Sequence, residues 1–225
     1  MTSPDLLPSL RFLVRGLLVL FWGLPVTLLA CVLIATAELP RALGFLPALV
    51  STGLLLYGLF ELTRFRPQER EWRAALERAQ LLGFTLFGLS PFVYFWSRMP
   101  SEDYYLQSLV ALAFMGLVFV YQLNHVLQRL AAMLPDETLR ADTLFFTQVN
   151  LTIMILAGVL AGTYHALDRM DALPPVLLET LDLLEGFRPR LTLVVLLVLL
   201  PISMTMSLLW KMKDTVLGMV YGARS

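Results

Sequence analysis

The sequence predicts an all-α integral membrane protein. It reads as a bundle of six transmembrane helices with two amphipathic interfacial helices, one on the cytoplasmic side and one on the outer side. Three observations carry this. Of 225 residues, 58% are hydrophobic and 15% charged, against about 45–50% and 25% in a soluble domain. The apolar residues fall in runs near 20, the length that crosses about 30 Å of hydrocarbon at 1.5 Å per residue. The charges fall between those runs. A single polytopic domain therefore occupies residues 1–225.

The expected spans are 12–37, 43–62, 80–97, 105–128, 143–165 and 191–210. The third is short and holds Pro91, which a membrane helix tolerates when neighbours satisfy the freed carbonyl. The stretch Ala35-Thr36-Ala37-Glu38 resembles a signal-peptidase site, and Leu28-Leu29-Ala30-Cys31 loosely resembles a lipobox. The apolar run reaches back to Leu10, long for a signal core, so an uncleaved first helix is expected.

Formal charge is zero, from 17 basic and 17 acidic residues. Over six spans, twelve basic and nine acidic residues fall on the side of the termini, leaving +3; five and eight fall opposite, leaving −3. The positive-inside rule makes the side with twelve cytoplasmic, so both termini are expected there, in a bacterial inner membrane or its equivalent. Nucleic acid is excluded as a partner by this balance. Cys31 is the only cysteine, which excludes a disulfide framework and a Cys-ligated zinc.

Residues 64–78 are too charged to insert. Pro67 suits a first helical position, Glu69/Arg73 and Arg73/Glu77 are i,i+4 pairs, and Trp72, Leu76 and Ala79 share a face. This predicts an interfacial helix against anionic headgroups, each basic residue adding about 1 kcal/mol, or a docking surface for a cytoplasmic partner. On the outer side Pro174-Pro175 opens a second helix that Gly186 closes, with Val176, Leu177, Leu181 and Leu184 opposite Glu179, Asp182 and Glu185. It is expected to lie flat as a lid; its acidic face is the alternative, a place to gather cations.

No ionisable residue falls at the middle of a span, and Glu38 and Glu61 stand at span ends. The densest polar group lies near the cytoplasmic ends of spans four and five: Tyr121, Gln122, Asn124, His125 and Gln128, then Thr147, Gln148, Asn150 and Thr152. Tyr121, His125 and Gln128 share one face, as do Thr147, Asn150 and Met154. Such groups are interhelical glue at about 0.6 kcal/mol each, or they form a polar ligand or ion site in which His125 titrates near neutral pH. Gly158 and Gly162 form a small-xxx-small pair that marks a packing face, inside the bundle or between protomers.

His165, Asp168 and Asp171 cluster at the outer end of span five with no third ligand fixed by spacing, and they read as solvated. No metal site and no cofactor are expected. His125 and His165 lie at opposite ends of their helices, so they do not share a haem. No nucleophile elbow, His-Glu-x-x-His or phosphate loop is present.

Spans 1–3 and 4–6 form triplets of opposite topology. Each has its longest connection before the third helix, which carries Pro91 or Pro201 beside Ser90 or Ser203. Inverted repeats with interrupted helices characterise secondary transporters. Two functions follow: a non-catalytic membrane subunit or scaffold of a larger or homo-oligomeric assembly, or a small channel or secondary transporter using the polar group between spans four and five.

Overall fold

A computed structural model describes the backbone of residues 6–36, 43–65, 68–134, 136–168 and 187–222. Within its helices the side chains of 6–9, 157, 160–168, 187–197 and 219–222 lie outside the described residues. The described chain is helical apart from short connections. The helices are α1 (Leu6–Thr36), α2 (Leu46–Thr63), α3 (Arg70–Leu89), α4 (Pro91–Arg98), α5 (Asp103–Ala132), α6 (Glu137–Asp168) and α7 (Phe187–Gly222).

Four stretches among the described residues are long and apolar enough to cross a membrane: Leu10–Thr36, Leu46–Thr63, Arg70–Arg98 and Asp103–Ala132. The expected fifth and sixth spans fall inside the continuous helices α6 and α7, where many side chains are undescribed. The outer amphipathic helix at 174–186 lies outside the described residues, as do Pro67 and Asp171.

Local chemistry sets the boundaries. Gly44, with φ of +52°, turns the chain into α2 in a conformation that costs glycine nothing. Asp136 starts α6, its Oδ1 accepting from the backbone N–H of Thr138 and Leu139 at 3.0 and 3.1 Å, as an N-cap carboxylate does. Between α3 and α4 the helix continues through Ser90 with helical φ and ψ. Pro91 has no N–H for the carbonyl of Phe87, and the Ser90 hydroxyl donates to that carbonyl instead, at 2.9 Å. Thr52 of α2 donates to the same hydroxyl at 3.4 Å. By contrast, Pro201 lies inside a continuous α7.

The expected cytoplasmic helix leads without a break into the third span. Residues 70–79 are the first turns of α3, and Trp72, Ala75, Leu76 and Ala79 are buried. The face read as headgroup-facing meets protein. Trp72 is 1% exposed, stands edge-on to Phe65, and donates from Nε1 to the Phe65 carbonyl at 3.1 Å. Gln122 of α5 donates to the Ala75 carbonyl at 3.2 Å, and Arg129 of α5 pairs with Glu71 at 3.3 Å. The charged residues lie on the far face of these turns, since a helix flanked by another helix needs only one apolar stripe.

α1 packs closely on α2. Cβ atoms at Gly16, Gly23 and Gly58 would stand 2.8–2.9 Å from Leu62, Leu55 and Leu20 across the contact. α5 touches α3, α4, α6 and α7, and α1 touches α2, α4 and α7. The bundle has two unlike poles. One holds the ion pairs Arg64–Glu61, Arg73–Glu77, Arg129–Glu71 and Lys211–Asp142. The other holds stacked and edge-on rings of Phe45, Phe92, Phe95, Tyr104 and Tyr105, the kind of belt that sits at a membrane interface.

Candidate functional site

α5 and α6 are joined by a short turn and run antiparallel, so their polar residues lie within a few turns of one another. The predicted group nevertheless separates into parts. Gln122 leaves for α3, as described. The imidazole Nδ1 of His125 lies 3.2 Å from Gln128 Oε1, one turn along the same helix, and Tyr121, His125 and Gln128 are all half-buried. Gln148 and Thr152 are exposed, and the Thr152 hydroxyl donates to the Gln148 carbonyl at 3.0 Å.

What remains is a buried polar strip between α5, α6 and α7. Asn124 is 0% exposed and its Nδ2 donates to Thr205 Oγ1 at 2.9 Å. Thr205 donates to the Pro201 carbonyl at 2.8 Å. On α6, Thr143, Thr147 and Asn150 are buried, one stripe at i,i+4,i+7. The Thr147 hydroxyl donates to the Thr143 carbonyl at 2.7 Å. Three amide atoms in this strip have no hydrogen-bond partner: Asn124 Oδ1, and both Oδ1 and Nδ2 of Asn150. A buried polar atom without a partner costs about 1–3 kcal/mol. Asn124 leaves one acceptor open, and Asn150, deeper along α6, one acceptor and one donor.

Sequence reasoning missed Thr143 and Thr205. Both were legible: Thr143 precedes Thr147 by one turn, and Thr205 follows Pro201 by one turn. Glu61 was read as an interfacial carboxylate. It is 2% exposed, its Oε1 3.6 Å from Arg64 Nη1, with Oε2 unpartnered.

Gly158 is exposed, and among the described residues nothing comes within 4 Å of a Cβ built on it. Ile155 and Leu156 beside it are exposed too. Gly162, His165 and Asp168 fall among the undescribed side chains. Among the described residues no three His, Cys, Asp or Glu side chains are grouped to hold a metal.

No known protein family, curated protein or solved structure matches the chain. Four long apolar helices among the described residues suggest a membrane protein, and its role rests on the residues themselves.

Proposed function

We propose that the chain is a non-catalytic membrane subunit or scaffold, six spans with both termini cytoplasmic, that docks by the Gly158 face of α6 onto another membrane-embedded helix. The observation that supports this is the exposure of Gly158 beside Ile155 and Leu156. Small residues let two backbones approach closely in lipid, and this one is unused within its own described bundle. The orientation is supported by the pole where Arg64, Arg73, Arg129 and Lys211 gather. Native mass spectrometry in mild detergent tests the reading. A dimer or a stable complex, dispersed by Gly158→Leu, is the expected result; a clean monomer overturns it.

The unpartnered amides of Asn124 and Asn150 favour a second reading, a small channel or secondary transporter with its polar site between α5 and α6. In a Cys31→Ser background, cysteines at 124, 125 and 150 would then react with membrane-impermeant thiol reagents. Protection of all three counts against transport.

A further inference from the structure

The outward face of α6 carries a pattern that packing within the chain does not use. Ala141, Phe145, Gln148, Thr152, Ile155 and Val159 are all exposed, and they follow one another at steps of four, three, four, three and four. An average step of about 3.5 residues is that of a left-handed coiled-coil seam. The seam lies opposite Thr143, Thr147 and Asn150, which are buried in the bundle. Two of its members are polar. Asp142, whose carboxylate takes Lys211 at 2.6 Å, marks the charged pole. Gln148 stands six residues beyond it and Thr152 ten, about 9 and 15 Å along the helix, which is hydrocarbon depth on the six-span reading. The Thr152 hydroxyl is satisfied by the Gln148 carbonyl of its own helix. Among the described residues the side-chain amide of Gln148 has no hydrogen bond. An amide facing hydrocarbon has no water to bond, and a polar group on a second helix is what satisfies it there.

We infer that this seam closes on α6 of a second copy of the chain, with Gln148 bonded to Gln148 of the partner subunit. The inference rests on the docking reading given above and names its partner. Two copies in one membrane share an orientation, so their α6 helices meet in parallel and a two-fold axis sets each seam residue against its own copy. A primary amide is both donor and acceptor, so it is complementary to itself across that axis. A different helix would have to bring a matching amide to the same depth, whereas a second copy brings it necessarily. One polar residue among apolar seam positions fixes register and oligomer state, which is the part Gln148 plays here. Gly158 flanks the seam between Ile155 and Val159 and leaves room for the two backbones to approach.

The test is disulfide cross-linking of the full chain in phosphatidylcholine vesicles, in a Cys31→Ser background. Thr152→Cys and Ile155→Cys are each expected to give linked dimers under mild oxidation. Leu29→Cys, at an equally exposed position of α1, is expected to give none. Sedimentation equilibrium in mild detergent supplies the second measurement. Gln148→Leu is expected to weaken the dimer about tenfold, and Gln148→Asn to keep most of the affinity. Both changes fall at an exposed position, so the fold of the single chain is left intact. The seam is overturned by absent cross-links at 152 and 155, by equal cross-linking at 29, or by a Gln148→Leu dimer as tight as wild type. If such a result comes with a stable complex to another protein in native mass spectrometry, the docking reading stands without the seam. A clean monomer removes both.

Discussion

The amide of Asn124 on α5 donates to the hydroxyl of Thr205 on α7 at 2.9 Å, and both side chains are fully buried. The hydroxyl in turn donates a hydrogen bond to the Pro201 carbonyl, so the three groups form one chain. Thr205→Val leaves both ends of the Asn124 amide unpartnered and is expected to cost about 1 kcal/mol. A double-mutant cycle with Asn124→Leu, read by denaturant unfolding in detergent, should give a coupling of about 0.6 kcal/mol, the average for membrane helices. Strict additivity would mean that the bond contributes nothing.

Glycines on α1 and α5 should respond oppositely to the same change. At Gly16 a Cβ would lie 2.9 Å from Leu62 and 3.0 Å from the backbone oxygen of Gly58, which cannot rotate aside. Gly16→Ala is expected to push α1 off α2 and cost about 1–3 kcal/mol. At Gly116 no described atom lies within 4 Å, and Gly116→Ala should stabilise by about 0.4–1 kcal/mol through the unfolded chain. Thermal unfolding followed by tryptophan fluorescence measures both.

Acid should loosen the start of α6. Hydrogen bonds from the Thr138 hydroxyl, then from the Leu139 and Thr138 backbone, hold the Asp136 carboxyl below its ordinary value of 3.8. A carboxyl lowered by folding adds stability that is fully present above the unfolded value and is lost as pH falls through the folded one. Stability should therefore decline below about pH 4, and Asp136→Asn should remove that part of the decline while keeping a cap. Matched pH titrations of unfolding in the two proteins decide it; identical acid limbs would refute the assignment.

Asn150 offers the sharpest separation of stability from activity. Both ends of its amide are buried without partners, so Asn150→Leu, close in shape, should raise stability by about 1–3 kcal/mol. Residues kept at such a cost usually serve function. A stabilised variant that also loses whatever flux or binding the chain supports would mark Asn150 as a ligand contact. A destabilised variant would mean that the amide is already satisfied in the membrane.

Apolar runs made the membrane class and the helices legible, because crossing lipid demands length and composition that show in one dimension. Partner choice between helices does not show there. Tyr121, Gln122 and Asn124 lie within four residues of sequence, yet a helix turns 100° per residue, sending Gln122 to α3 and Asn124 to α7. Trp72, Leu76 and Ala79 showed an apolar face but not what covers it, since the stripe is the same whether lipid or α5 packs there. Glu61 looked peripheral, because burial at a span end depends on neighbours that the sequence does not place. Pro91 was read rightly as tolerable, though its remedy, the Ser90 hydroxyl, is a neighbour in the chain and not another helix.

The rings of Phe21 and Trp210 meet at 5.4 Å, joining α1 to α7. During synthesis at about 5–20 residues per second, Trp210 follows Phe21 by roughly 10–40 s. For that interval α1 has α2 to lean on, through Gly16, Gly23 and Gly58, and nothing from α7. The nascent chain thus carries a hairpin that can settle early and a gap beside Phe21 that waits for α7.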